Sequence, residues 1–294
     1  MLPNVGGRSH RELEESDKGP PNLALPLSRP QNLWMQPGAI DDYPIAPSAG
    51  AVSAVTGLFV YDIEQDTPRV SMPRPESHVV VRFGPSIRNE VDVYAFGAQE
   101  RARRKRVPGG HRIVMARLHL GAHESVLGVP ASTLAGRYVP LEELWGDAAV
   151  RRLTADLAQA RTAPRAAQVL QRAIAERIAS KAEGRSAPPL ALQAAAKLSR
   201  ANVNQVADDL GVSERHLRRV FRETVGVSPK TFAKLARFHR ALRAAREQTH
   251  PGWASIASAA GYYNQAHLIA DFRAIAGVTP QALLGELGAT ATGT

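Results

Sequence analysis

Arg215, Arg218, Arg219 and Arg222 recur at the i, i+3, i+4, i+7 spacing that puts four guanidinium groups on one face of a helix. The other face of the same stretch is apolar, with Leu217, Val220, Phe221 and Val225. Neighbouring like charges on a helix repel, so this row gains nothing unless an anion lies opposite it. The guanidinium fork matches phosphate oxygens and the O6/N7 edge of guanine, which points to duplex DNA; a merely solvated basic face is the plainer alternative. The next helix continues the theme with Lys230, Lys234, Arg237, Arg240, Arg243 and Arg246, over an apolar side of Phe232, Leu235, Phe238 and Leu242. A helix of about twenty residues spans ~30 Å, close to the ~34 Å between successive turns of one major groove, so it could set two reading heads on one DNA face.

The elements that would hold these residues form an internal repeat. Val206-Ala207, Leu210-Gly211, His216-Leu217, Phe221-Arg222 and Gly226-Val227-Ser228-Pro229 return as Ile256-Ala257, Ala260-Gly261, His267-Leu268, Phe272-Arg273 and Gly277-Val278-Thr279-Pro280, with one extra residue in the turn after Gly261. Each copy predicts helix, glycine turn, helix. Asn202 with Gln205 predicts a capping box and Ser213 a second N-cap. Gly211 and Gly261 are expected at positive φ where the chain reverses. Ser228-Pro229 and Thr279-Pro280 each predict a cap followed by proline in the first turn of a new helix.

The second reading head differs from the first. Its exposed positions are Ala266, Ile269, Ala270 and Arg273, with Asn264 and Gln265 at the helix start. Asn and Gln can pair with adenine, and Ala or Ile can touch a thymine methyl. With one arginine where the first head has four, this half supplies little electrostatic affinity, so the first head (213–225) is expected to dominate. His216 and His267 are expected to pack or bond locally rather than read bases.

The repeat, the connecting helix and the string GYYNQAHLIADFRAIAGVTP resemble the AraC/XylS family of bacterial transcription regulators over about Leu190 to Leu287. The resemblance implies sequence-specific binding to promoter DNA and activation through contact with RNA polymerase. It places base or backbone readers at Glu214, Arg215, Arg218 and Arg219 in the first head, and at Asn264, Gln265, Ile269 and Ala270 in the second. Many relatives carry a polar or basic residue where this chain has Ile269 and Ala270. A looser resemblance, from Arg117-Leu118 through Leu127-Gly128-Val129-Pro130 to Val139-Pro140-Leu141-Glu142-Glu143-Leu144-Trp145-Gly146, implies an effector-sensing or regulatory domain upstream.

Composition agrees with such a reading. The 294 residues carry 37 Lys+Arg against 27 Asp+Glu, a formal charge of +10 that suits a polyanionic partner. Cysteine is absent, which excludes thiolate metal sites, thiol nucleophiles and the cysteine-dependent DNA-repair domains to which such units are sometimes fused. No apolar run is long enough to cross a bilayer, and a cytoplasmic location is expected. No P-loop, GxGxxG after a strand or GxSxG occurs, so neither catalysis nor a cofactor is expected. His111, His119, His123 and Glu124 invite a metal reading, but Gly121 breaks the spacing and no site is expected.

The predicted class is α+β: a β-rich N-terminal domain, then an all-α domain with two helix-turn-helix units joined by a long helix. Residues 1–30 are expected to be a flexible tail and 31–146 the regulatory domain. Strands are expected at Ala51–Asp62, His78–Phe83, Val91–Phe96 and Arg112–Leu120. Tyr61, His78, Arg82, Tyr94 and Phe96 could line a pocket there, although the sequence does not set their directions. Arg101–Arg106 is expected at a solvated hairpin tip. Residues 147–183 predict helices, with Asp147 as a cap and with Val150, Leu153 and Leu157, then Val169, Leu170, Ile174 and Ile178, as stripes that could pair with a second copy. Glu183–Pro189 is the expected linker into the 184–290 DNA-binding domain. The alternatives left open are a non-specific architectural DNA binder and a repressor that needs no small-molecule effector.

Overall fold

A computed structural model of the chain describes residues 54–87, 90–180 and 189–289. The expected tail, most of the expected linker and the last five residues lie outside the described residues. The N-terminal part is built on seven strands: β1 (Val55–Ile63), β2 (Thr67–Ser71), β3 (His78–Phe83), β4 (Val91–Phe96), β5 (Arg103–Val107), β6 (His111–Leu118) and β7 (Tyr138–Pro140). Five of them form one sheet in the order β1-β6-β3-β4-β7, antiparallel throughout, while β2 and β5 pair as a separate ribbon. The β3 and β4 ranges agree with the sequence pattern. Of the Arg101–Arg106 stretch, the residues from Arg103 on lie in strand β5 and not at a hairpin tip, because Arg103–Val107 finds a full partner in Ser71–Thr67.

Strand alternation sends two different cores to the two faces of the sheet. Leu58, Val79, Val81, Val93, Ala95, Val114 and Ala116 point to one face. Phe59, Tyr61, Ile63, Val80, Ile113 and Met115 point to the other, beneath the ribbon residue Val107. After β6 come three short helices, α1 (His123–Leu127), α2 (Ala131–Leu134) and α3 (Glu142–Trp145), then α4 (Asp147–Ala158) and α5 (Ala163–Ser180).

Helices α4 and α5 cover the first face, and Val150, Leu153, Leu157, Val169, Leu170 and Ile174 are buried in its core. The stripes that could have met a second copy therefore meet the sheet. Asp147 is the first residue of α4 and not its cap; Gly146 precedes the helix with no side-chain bond, and Asp147 instead stands 3.9 Å from Arg151.

The C-terminal part comprises α6 (Pro189–Leu198), α7 (Val203–Asp209), α8 (Glu214–Val225), α9 (Pro229–Arg246), α10 (Trp253–Ala260), α11 (Gln265–Ala276) and α12 (Pro280–Ala289). Helices α7–α8 and α10–α11 are the two helix-turn-helix units. The first has its own core of Val206, Ala207, Leu217, Phe221, Val225 and Phe232. The second is built on Leu235, Phe238, Leu242, Ile256, Ala257, Leu268 and Phe272. Helix α9 contributes to both, its first turns to one and its later turns to the other.

The N-terminal domain reaches both units. Ala98 and Leu120 enter the first core, and Val70 and Met72 enter the second. At the end of α8, Gly226 holds φ +88°, and a side chain there would stand 3.0 Å from the Ala131 carbonyl. No helix among the described residues is long and apolar enough to span a membrane.

Candidate nucleic-acid interface

The caps that aim the recognition helices form as the sequence pattern predicts. The Asn202–Gln205 box is reciprocal, at 3.0 and 3.2 Å, and Ser213 Oγ accepts the His216 N–H at 3.2 Å. Gly211 and Gly261 hold φ +66° and +83°. Ser228 Oγ accepts from the Thr231 N–H at 3.1 Å, and Thr279 Oγ1 from the Ala282 N–H at 3.3 Å. Small Ala207 and Ala257 are fully buried at the helix crossings. These local bonds orient α8 and α11 against their partner helices before any ligand is present.

On α8, Leu217, Phe221 and Val225 are buried, while Arg215, Arg218, Arg219 and Arg222 are all exposed. Glu214, half-buried, accepts from Arg218 Nε at 2.6 Å. Arg219 lies 3.6 Å from Glu223 and 3.4 Å from His216 Nδ1. Two of the four guanidinium groups thus have weak surface partners one turn away, each exchangeable for phosphate or base at a cost of a few tenths of a kcal/mol, ~0.3–0.5. Arg215 and Arg222 complete an outward row that a duplex groove can meet.

Helix α11 is arranged differently. Asn264 is its N-cap, with Oδ1 accepting the His267 N–H at 2.8 Å. Gln265, Ala266, Ala270 and Arg273 are exposed. Ile269 is half-buried and packs against the second core, which takes part of its surface away from any groove. Beside this helix start, Tyr263 is 92% exposed, a large aromatic ring that the sequence pattern does not single out. Its neighbour Tyr262 is buried with Arg237 over its ring at 5.6 Å, so the Tyr-Tyr pair divides into one structural ring and one free ring.

The connecting helix divides its cations. Lys230 is exposed, but the cations beyond it are half-buried and turned inward. Lys234 Nζ lies 3.2 Å from Asp271 Oδ1, and Arg237 lies 3.8 Å from Asp271 Oδ2. Arg240 donates to the Ala260 and Ser199 carbonyls at 2.8 and 2.9 Å. Helix α9 is therefore the hub around which both units pack, and its Lys234, Arg237 and Arg240 meet the protein's own acceptors. The signal lay in the repeat itself: Asp271 stands where the first unit has Val220, and a nearly buried carboxylate requires cations beside it.

The histidines considered for a metal take separate partners. His111 Nε2 meets Ser86 Oγ at 2.7 Å, and His123 Nδ1 meets Ser77 Oγ at 2.6 Å. No group of three candidate ligands converges among the described residues.

A family model described as a helix-turn-helix domain matches residues 206–285. No curated protein matches the chain. Among solved structures the chain is similar to the C-terminal domain of AraT, a response regulator from Geobacillus stearothermophilus, at 24% identity over 33% of this chain and 84% of that one, TM-score 0.31. It is similar to a DNA-binding transcriptional dual regulator from Escherichia coli K-12 at 20% identity, over 35% of this chain and 95% of that one, TM-score 0.30. ToxT from Vibrio cholerae O395 is similar at 10% identity over 81% of this chain and 98% of that one, TM-score 0.40.

Proposed function

We infer that this chain, a DNA-binding transcription regulator with an AraC-type helix-turn-helix domain at its C-terminal end, reads two adjacent major-groove segments of a specific site, with α8 as the dominant head. The observation that carries the reading is the row Arg215, Arg218, Arg219 and Arg222, exposed on α8 while Leu217 and Phe221 anchor its other face in a closed core. Helix α11 offers Asn264, Gln265, Ala270 and Arg273 with Tyr263 beside them, a surface fitted to adenine and thymine edges with a single strong cation. Helix α9 spaces the heads: its 18 residues correspond to ~27 Å of axis, within reach of a one-turn groove repeat. By family resemblance, the reading extends to activation through contact with RNA polymerase.

Selection of duplexes from a random-sequence pool by the full chain tests this reading. A single enriched motif with two segments about one helical turn apart supports it. Enrichment of no sequence, with binding that depends on salt alone, identifies an architectural DNA binder and removes specific regulation.

A further inference from the structure

Each helix-turn-helix unit closes its own core, and α9 runs through both. Helix α6 backs the first head: its Ala191, Ala194, Ala195 and Leu198 pack with Leu217 and Phe221 of α8. Helix α10 backs the second, with Ile256, Ala257 and Ala260 against Leu268 and Phe272 of α11. The tilt of one head against the other therefore depends on what ties α6 to α10 across α9.

Arg240 spans that joint. It donates from Nη1 to the Ala260 carbonyl at 2.8 Å and from Nη2 to the Ser199 carbonyl at 2.9 Å. Ala260 is the last residue of α10, and Ser199 is the first beyond α6. Carbonyls at the end of a helix lack an intrahelical donor and carry the negative end of its dipole, so a cation is stabilised there. Arg240 serves two such ends at once, one from each unit. A guanidinium can do this because its two terminal nitrogens are held in one rigid plane; an ammonium is a single point charge. The position is otherwise hostile to a cation. Burial, then the like charges of Arg237, Arg200 and Arg243, hold the Arg240 pKa below the ordinary arginine value.

The two copies of the repeat differ at this joint. A side chain at Gly261 would begin 3.6 Å from Arg240 Nη1 and 3.7 Å from Arg237 Cδ, whereas one at Gly211, its counterpart in the first unit, would meet nothing within 4 Å. Asp271, standing where the first unit has Val220, draws Lys234 and Arg237 onto α11. The second unit is thus tied to α9 by charge through both α10 and α11, and Arg240 carries the tie across to α6.

We propose that Arg240 is a positioning residue for DNA recognition: by capping α6 and α10 together it fixes the angle between the two heads, and so sets which spacing of the two DNA segments the chain accepts. This role rests on the two-head reading of α8 and α11. One base pair moves the second segment by ~3.4 Å and turns it by ~35°. A rigid joint loses the second head's contacts at a spacing one base pair off, whereas a loose joint follows the DNA.

Two measurements on the full chain test this role, one of them without DNA. The chain has no cysteine, so Asp208→Cys on α7 and Ser258→Cys on α10, equivalent exposed positions of the repeat, each take one spin label, and pulsed electron resonance gives the distances between the units. The distribution is narrow in this background and at least about twice as wide with Arg240→Lys, which keeps the charge and lacks the fork. Kd is then measured on the selected duplex, on duplexes with one base pair added or removed between the segments, and on one with the second segment scrambled. For the parent, a one-base-pair change weakens binding about tenfold. With Arg240→Lys the selected duplex is bound about three- to tenfold more weakly, the spacing penalty falls below about threefold, and the scrambled duplex is bound as by the parent. Arg240→Gln follows the same pattern. An unchanged label distribution in both variants overturns the joint, and a broadened one with the parent's spacing penalty overturns its part in recognition. Equal losses on the scrambled duplex, with a salt slope lower by about 0.9, make Arg240 a phosphate contact instead. A parent chain that binds all three spacings within about twofold also overturns the role, whether or not the variants fold. A pool that yields no two-segment motif removes the two-head reading and the spacing role with it, while the label distances still decide whether Arg240 locks the joint.

Discussion

Replacing Arg218 by alanine examines whether the α8 row reads bases or only neutralises phosphates. In the free protein Arg218 is half exposed and its side chain bonds Glu214, itself 34% exposed. An i,i+4 pair at that exposure is worth about 0.3–0.5 kcal/mol and must be given up when Arg218 turns to a base. A bidentate contact to guanine contributes about 1–3 kcal/mol of discrimination. The difference, about 0.5–2.7 kcal/mol, is the loss expected for Arg218→Ala on the selected duplex, roughly 2-fold to 100-fold in Kd. On a shuffled duplex the same substitution costs little if Arg218 is a base reader. Its salt slope then stays near that of the parent, whereas loss of a phosphate contact lowers the slope by ~0.9. Fluorescence anisotropy on both duplexes across about 50–200 mM salt gives the four Kd series. Equal losses on the two duplexes, with the slope lower by about one, refute base reading by Arg218. If Ala270→Ser on α11 costs as much as Arg218→Ala, the dominance of the first head is refuted as well.

Two further outcomes are expected. Lys234→Ala breaks a pair between a one-third-exposed ammonium and a 13%-exposed carboxylate; because that exposure lies between surface and buried cases, it is expected to cost about 1–2 kcal/mol of stability, seen as a fall of about 2–8 °C in Tm by calorimetry, with the DNA salt slope unchanged. A slope lower by one with Tm unmoved would return Lys234 to the DNA face. Acid should destabilise the chain below neutrality. Burial holds His239 down to about 3 and His123 to about 4, and His78 well below its ordinary value, so all three are neutral when folded. The unfolded chain takes up these protons near pH ~6.5, so the stability is complete above that pH and is lost as pH falls toward the folded values, at up to ~1.4 kcal/mol per pH unit for each histidine. His239→Gln, which keeps a donor for the Pro73 carbonyl now reached at 2.7 Å, should reduce that slope by one histidine's share in urea melts between about pH 5 and 7; an unchanged slope contradicts it.

The helical half was legible because its determinants are local. Caps such as Asn202 and Ser213, positive-φ glycines at 211 and 261, and apolar stripes at helical spacing each specify structure within a few residues. The β half was legible only where strands are apolar. Strand β5 is a run of arginines and lysine whose pairing with Thr67–Ser71 crosses more than thirty residues, and no local pattern announces it. The direction of the cations on α9 was signalled only by Asp271, which takes the place of Val220 in the repeat. Their spacing is that of a helix face, but which face meets solvent depends on Asp271, Ala260 and Ser199, residues supplied by other elements. The arginines of α8 were legible because that helix touches its neighbours on one side only, whereas α9 is surrounded.

The uneven charge of the two heads gives the N-terminal contacts their meaning. On the proposed reading, helix α8, with four exposed arginines, is the head that holds DNA, each phosphate contact adding ~0.9 to the salt slope. Helix α11 exposes Arg273 and otherwise neutral side chains, so on the same reading its contribution depends on being presented at the right distance while α8 is already bound. Two linked heads multiply their affinities only through the effective concentration that the scaffold sets, and a tenfold change in that concentration is about 1.4 kcal/mol. Burial of one Val or Met side chain is worth about 1.5–3 kcal/mol. Val70 and Met72 of the N-terminal domain are such side chains, and they are buried in the core of the second unit and not the first. The N-terminal domain thus holds the weaker head as well as the stronger one, which Ala98 and Leu120 reach, and the free energy of its grip on the second head is of the size needed to decide whether that head counts.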